Sequence, residues 1–205
     1  MAGFTNILLI PKAELPEGAI AFMRNSVIAT VKKLASTELK LSEDQLVARD
    51  LRPVEDLAMY STGTTAATVN NWIFTTAGDA TTGFVTVTGS ATMAVERFVA
   101  IYGVKDLRCV YGVKAVTGPT YRWTIPHCIS QIKIDVGGGT KAIWDLIKMQ
   151  CSPDEPVGVS PAAVLIPQNT IYNIWYYKHL ATASVISNLV LEGVVVEPRG
   201  KTISP

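Results

Sequence analysis

The chain has 205 residues and a formal net charge of +1, so no overall field attracts nucleic acid or an acidic substrate. Charged residues make up 17% of it and hydrophobic residues 48%, whereas roughly 25% of an ordinary soluble domain is charged. The length fits one all-β domain with or without an appendage, and the low charge suggests that something covers much of the surface. The apolar run Ile7 to Ile10 is too short for a signal peptide, and no window holds about 20 consecutive apolar residues.

The first predicted element is an amphipathic helix between Glu17 and Ala35. Its apolar residues recur every three or four positions, which places them on one stripe of a helix. The stripe consists of Ile20, Met23, Val27, Val31 and Leu34. The simplest interpretation is a helix that packs on the rest of the protein, and the alternative is an arm that reaches a neighbouring subunit.

A second short helix is predicted from Ser42 to about Asp50. Ser42 followed three residues later by Gln45 is a capping-box pattern, and Pro53 is expected to end the helix. Residues 1–60 are therefore predicted to form an N-terminal helical arm. Deleting residues 1–41 is expected to leave the β domain folded.

The remaining residues, 61–205, are predicted to form a β-sandwich domain. After a Thr- and Gly-rich stretch come short β-branched and aromatic runs, each bounded by turn residues, which suggests about eight to ten strands. In the run "SQIKIDV", Gln131, Lys133 and Asp135 point away from the intervening apolar residues. The segment "TKAIWDLIKMQC" is ambiguous between helix and strand. No helical pattern alternates with the strands, so a sandwich or barrel is favoured over a parallel sheet.

Residues that could carry catalysis are scarce. His127 is interpreted as a core or strand-end residue and His179 as a strand-edge residue, since no nucleophile elbow or metal-binding motif accompanies them. The cysteines have no C-x-x-C spacing and are interpreted as buried free thiols: Cys109, Cys128 and Cys151. The sequence therefore predicts no enzyme, no cofactor and no metal site.

Two further motifs have simple structural interpretations. The glycines of "VGGGTK" could cradle an anion, but the spacing of a phosphate-binding loop is absent and a glycine-rich β-turn is favoured. The aromatic run Trp175, Tyr176 and Tyr177 could stack bases of single-stranded nucleic acid. Adjacent strand residues face opposite sides, so core and interface packing is the preferred interpretation.

The basic residues of the helical arm are the one candidate contact site for DNA or lipid. They are Arg24, Lys32, Lys33 and Lys40. A helix with such a basic side could face phosphate groups of packaged DNA or of an internal membrane, although four charges give only modest attraction.

Three stretches between Ala91 and Ile203 resemble the single jelly-roll capsid proteins of icosahedral double-stranded DNA viruses, including those that infect hyperthermophilic archaea. They are "YRWTIPHCISQIKIDVGG", "AAVLIPQNTIYNIWYYK" and "NLVLEGVVVEPRGKTI". The resemblance lies in the pattern of strands and turns. It implies an antiparallel jelly-roll sandwich of about eight strands with an N-terminal helical arm.

The function that the resemblance implies is structural. Subunits of that family form pentameric or hexameric capsomers, contact other capsid proteins and run their N-terminal arms along the inside of the shell. The expected location is the virion, assembled in the host cytoplasm, with the arm near viral DNA or internal lipid. Two other functions remain open: a filament subunit that donates the strand "FTNILLIP" to a neighbour, and a carbohydrate-binding module on a jelly-roll scaffold.

The apolar end of the chain, "SNLVLEGVVVEPRGKTISP", is predicted to be a strand covered by the opposite sheet. Residues two apart share a face, so Leu189, Leu191 and Val195 are expected to point into the sandwich and Glu192 away from it. Pro198 should end the pairing.

Overall fold

The computed structural model describes residues 6–57, 74–76, 83–86, 88, 90–106, 129–150, 157–178 and 187–201. These residues form two β-sheets that pack face to face, with one long helix on the outer side of one sheet. The helices are α1 (Ala19–Leu39), α2 (Pro53–Asp56) and α3 (Ile147–Gln150). The strands are β1 (Asn6–Leu8), β2 (Ile10–Pro11), β3 (Leu46–Asp50), β4 (Phe74–Thr76), β5 (Gly83–Thr86), β6 (Ala91–Thr92), β7 (Phe98–Asp106), β8 (Ile129–Val136), β9 (Gly139–Asp145), β10 (Val157–Ile166), β11 (Ile171–Lys178) and β12 (Ser187–Pro198).

Each sheet contains six of the described strands. Sheet A has the order β1-β9-β8-β11-β5, and β6 also pairs with β11; sheet B has the order β2-β10-β7-β12-β3, and β4 also pairs with β12. The pairing of β1 with β9 is parallel, and the other described pairings are antiparallel. The all-β sandwich predicted from the sequence is therefore confirmed.

The antiparallel pairs are nested along the chain. Strands β3 and β4 pair with β12, β5 and β6 with β11, β7 with β10, and β8 with β9. If β3 and β4 are counted as one strand position, and β5 and β6 as another, the segment from β3 to β12 has eight positions. The first of these pairs with the eighth, the second with the seventh, the third with the sixth and the fourth with the fifth. Successive pairs lie in alternate sheets, so the chain crosses repeatedly between the two layers.

The main core lies between the two sheets. Trp144 and Tyr176 of sheet A are buried against Val99, Ile101 and Leu191 of sheet B. Trp144 and Tyr176 alternate along their strands with more exposed residues, as expected of strands with one buried face, whereas β7 is buried on both faces. Two antiparallel sheets with apolar inner faces give the layered arrangement expected of a sandwich.

Helix α1 covers the outer face of sheet B and forms a second apolar cluster there. Val31 and Ala35 are buried against residues of β7 and β12, including Phe98 and Val196. The predicted stripe is confirmed, because all five of its residues belong to this cluster. The interpretation of this helix as one that packs on the sandwich is therefore correct.

The first sixty residues contribute strands as well as helix. Strands β1, β2 and β3 pair with β9, β10 and β12, so this region completes both sheets. Removing residues 1–41 would strip β1, β2 and α1 from the sandwich, so the expectation that the β domain survives this deletion has no support in the packing. The boundary at residue 60 stays a prediction, since residues 58–73 lie outside the described part.

The predicted helix from Ser42 to Asp50 is wrong beyond its first turn. The capping box is present, with the Ser42 amide donating to Oε1 of Gln45, but it caps a single 3-10 turn, Glu43–Gln45. The chain then extends as β3, because pairing with β12 overrides the local preference. Pro53 begins α2 rather than ending a helix, at a position where its missing N–H has no cost.

Two other local predictions are resolved. The ambiguous segment "TKAIWDLIKMQC" contains both elements, since β9 ends at Asp145 and α3 begins at Ile147. The glycine-rich β-turn is confirmed: Gly137 and Gly138 join β8 to β9 with φ values of 65° and 79°. Positive φ at both central residues is what a tight two-residue hairpin requires.

The apolar end of the chain is a strand of sheet B, as predicted. Leu191 and Val195 point into the inter-sheet core, whereas Val194 and Val196 face α1. Glu192 lies on the α1 side and is half-buried, so its predicted face is also confirmed. The side chain of Leu189 lies outside the described part.

Candidate assembly surface

The outer face of sheet A is the broad strand surface that the described helices leave open. The strand register aligns Asp135, Lys133 and Gln131 of β8 with Asn173, Trp175 and Tyr177 of β11. All six side chains are half-buried. We call these six residues the sheet A face. It is polar with two aromatic rings, a composition that suits contact with another surface.

Asp135 organises the polar groups of the sheet A face. Its Oδ2 accepts a 2.7 Å hydrogen bond from Nε1 of Trp175, and its Oδ1 accepts one of 2.7 Å from Oγ1 of Thr140. Nζ of Lys133 lies 3.5 Å from the same Oδ2 and 4.4 Å from the centroid of the Trp175 ring. A cation over an indole ring is attracted by the negative π face. These mutual contacts hold the side chains of Lys133, Asp135 and Trp175 in one arrangement.

A buried ion-pair network lies at the edge of sheet B, where β3 and α2 meet β12. Arg49 donates two hydrogen bonds to Asp56, of 2.6 and 2.7 Å, and one of 3.0 Å to Glu197. Arg97 bridges the same two carboxylates, at 3.4 Å from Asp56 and 3.2 Å from Glu197. The amide of Arg52 also donates to Asp56.

The network neutralises two carboxylates that would otherwise be costly to bury. The Asp56 side chain is 0% exposed and that of Glu197 4%. Hydrogen bonding to Asp56 is the main factor that raises the pKa of Arg49, so this guanidinium stays charged. Because two acids are matched by two guanidinium groups, the network connects α2 with β3 and β12 and leaves neither buried carboxylate unpaired.

A second charged cluster lies between α1 and sheet B. Arg24 donates to Oδ1 of Asp50 at 2.6 Å. Burial, reinforced by the charge of Glu192, raises the pKa of Tyr102 to about 12. Burial is also the main factor that raises the pKa of the Glu192 carboxyl, with Asp50 adding to the increase and Lys105 opposing it.

The basic residues predicted to face DNA or lipid do not form one surface. Arg24 points to sheet B and is paired with Asp50. Lys32 is half-buried, whereas Lys33 and Lys40 are exposed near the end of α1. A role in contacting phosphate groups stays a prediction, and the structure leaves Lys33 and Lys40 best placed for it.

The residues considered for catalysis lie outside the described part of the chain. This applies to both histidines and to all three cysteines. Among the described residues, no group of three or more His, Cys, Asp or Glu side chains could hold a metal ion. No described helix is long and apolar enough to cross a membrane. Of the aromatic run, Tyr176 is in the core and Trp175 and Tyr177 are on the sheet A face, which confirms that they alternate.

The sequence indicated half of the sheet A face. Alternation placed Gln131, Lys133 and Asp135 on one side of a strand, but no local signal brought Trp175 beside them, since it lies 40 residues from Asp135 along the chain. Comparison with known proteins adds nothing to this assignment. No protein-family model matches the chain, and no curated protein matches it either.

Proposed function

We propose that this chain is a structural subunit that assembles with copies of itself into the capsid of an icosahedral DNA virus. In this proposal the sandwich is a jelly roll, the subunits form pentameric or hexameric capsomers, and other capsid proteins complete the shell. The proposed location is the virion, after assembly in the host cytoplasm. No catalytic residue and no cofactor take part in this function.

The observation that carries the proposal is the nested strand pairing. A jelly roll is a long antiparallel hairpin rolled into two sheets, so its eight strand positions pair first with last and inward. The pairs β3/β4 with β12, β5/β6 with β11, β7 with β10, and β8 with β9 have this order. A fold alone does not fix a function, so the surface must also suit assembly.

The low surface charge supports assembly, because several charged side chains pair with one another within the subunit. The buried network removes Arg49, Arg97, Asp56 and Glu197 from the free surface, and the chain has few charged residues to begin with. A weakly charged surface can approach a neighbour at a low desolvation cost. Each contact can then be weak, because a closed symmetric shell repeats it many times.

The two alternative functions have less support. Strand donation by residues 6–11 would require exchange, since β1 and β2 already pair with β9 and β10 of their own chain. A carbohydrate-binding module would need an open aromatic ring on which a sugar can stack. Trp175 lies on the sheet A face, but Nζ of Lys133 occupies a position 4.4 Å from its ring centroid.

Sedimentation velocity over a range of protein and salt concentrations, combined with negative-stain microscopy, tests the proposal. We expect symmetric capsomers or closed shells that become more abundant with protein concentration. Monomer under all conditions would contradict capsid function. Filaments instead of rings or shells would favour strand donation.

The sheet A face can be tested in the same assay. Replacing Lys133 with Glu brings a second carboxylate beside Asp135 and removes the cation from the Trp175 ring, so this variant should assemble less well if the face is a contact. Replacing Arg199 with Glu makes the same charge change at an exposed position directly after β12 of sheet B and is the matched control. Equal assembly of both variants and wild type would exclude the sheet A face from the contacts.

A further inference from the structure

We propose that the outward face of α1 pairs with the same face of a second copy of this chain. This inference rests on the proposed function and deepens it, because it names one of the contacts from which a shell would be built. The face consists of exposed residues that the sandwich does not cover: Ala21, Phe22, Asn25, Ser26, Ala29 and Thr30. We call this set the outer face of α1.

The outer face of α1 combines an exposed aromatic ring with a lack of charge. Phe22 is 78% exposed, the highest value among the exposed large hydrophobic residues of the described chain. The one charged residue between Ala19 and Val31 is Arg24, and its side chain is directed to Asp50 of sheet B. An exposed aromatic ring on an uncharged face gains free energy when a partner covers it.

One polar group of this face is already satisfied within the helix. The hydroxyl of Thr30 donates to the backbone oxygen of Ser26 at 2.9 Å. This bond stays inside the helix, so a partner can cover the Thr30 side chain without leaving its donor unpaired. Ala21 and Ala29 add no polar side-chain atoms, and Asn25 and Ser26 are short enough to let another helix approach.

The absence of charge favours a second copy as the partner. In a two-fold contact each residue meets a symmetry-related part of the same patch. A charged residue near the axis would therefore lie close to the identical charge of the second copy and be repelled by it. An antiparallel pair with its axis between Asn25 and Ser26 avoids this. It places Phe22 opposite Ala29 of the second copy, where the large ring meets a small side chain.

Charges at the two ends of the face fit the same arrangement. Glu17 precedes α1 and Lys33 lies in its second half, and both are exposed. They are about equally far from the proposed axis, on opposite sides of it, so Lys33 of one copy lies beside Glu17 of the other. The antiparallel pair therefore brings opposite charges together at both ends, whereas a parallel pair would not.

The area of this contact indicates a weak pair. Two faces of about three helical turns bury less than the roughly 800 Å² per partner of a standard stable interface. The pair is then a repeated contact of a larger assembly, and a dimer should be captured by covalent trapping more readily than by chromatography.

A disulfide at the axis tests the pairing directly. Helices pack about 8–10 Å apart and their Cα atoms lie about 2.3 Å from each axis, which leaves about 3.5–5.5 Å between facing Cα atoms. The upper part of that range suits a disulfide. We expect Ser26→Cys to form a disulfide-linked dimer, located at position 26 by peptide mapping, about tenfold faster than Thr37→Cys under mild oxidation.

Thr37→Cys is the matched control. Thr37 is exposed and lies on the same helix, but the rise of about 1.5 Å per residue puts the two copies of this position roughly 35 Å apart. Wild-type protein, with its own three cysteines, is treated in the same way. Equal rates for the Ser26 and Thr37 variants would overturn the pairing.

Charge variants test the orientation of the pair. In the Ser26→Cys background, Lys33→Glu places like charges together and should slow the crosslink, and adding Glu17→Lys should restore it. A parallel or unrelated contact would show no such rescue, and this result would overturn the antiparallel arrangement. Shells without the position-26 crosslink would contradict helix pairing but leave capsid function standing; the crosslink without larger assemblies would support the pairing and count against a shell.

Discussion

Replacing Leu191 with Ala should remove a large part of the stability of the sandwich. The side chain is 1% exposed and lies in the inter-sheet core, on the strand that pairs with both β7 and β3. A strand held on both sides cannot easily move into the cavity that the substitution leaves. We therefore expect a loss of about 3 kcal/mol, within the usual range for a buried Leu→Ala change.

The assay is unfolding by heat and by urea, followed by circular dichroism. For a chain of this size, a loss of about 3 kcal/mol corresponds to a decrease in melting temperature of roughly 6–12 °C. Glu192→Gln is the matched control, because the next residue of β12 points to the opposite side of sheet B, and this change should not lower the stability. Equal small shifts for the two variants would mean that β12 is not a core strand, and the fold assignment would lose its main support.

Two further predictions concern charged groups that the fold buries. Asp56→Asn should lower the free energy of unfolding by roughly 2–4 kcal/mol, since Arg49 loses its main anionic partner. Glu55→Gln, which breaks an exposed ion pair with Arg52, should cost less than about 1 kcal/mol, and similar losses for both variants in urea titrations would contradict the buried network. Because its pKa is raised, Glu192 binds its proton more tightly in the folded state than in the unfolded state. Its contribution to the free energy of unfolding is therefore fully present below pH 4.5 and is lost as the pH rises through the raised pKa. Stability measured over this range should fall less in Glu192→Gln than in wild type, and parallel curves would show that Glu192 is not the group responsible.

The amino-acid sequence by itself determined the local preferences of the chain. The three- and four-residue spacing from Ile20 to Leu34 identified the buried side of α1, and the alternation in β8 separated its inner and outer faces. The turn at Gly137 and Gly138 was also predictable. These features depend on neighbours within a few residues, so a single sequence contains the information that fixes them.

The tertiary structure alone decided which distant segments meet. Residues 46–50 follow a helix-capping box, yet they form β3 because the edge of β12 offers them hydrogen bonds and an apolar face. Arg49 and Glu197 pair across 148 residues of chain, and Trp175 reaches Asp135 from a different strand. No local pattern encodes such contacts. They form because the nested pairing of the strands brings these side chains together, and burial then makes satisfying their charges and hydrogen bonds energetically necessary.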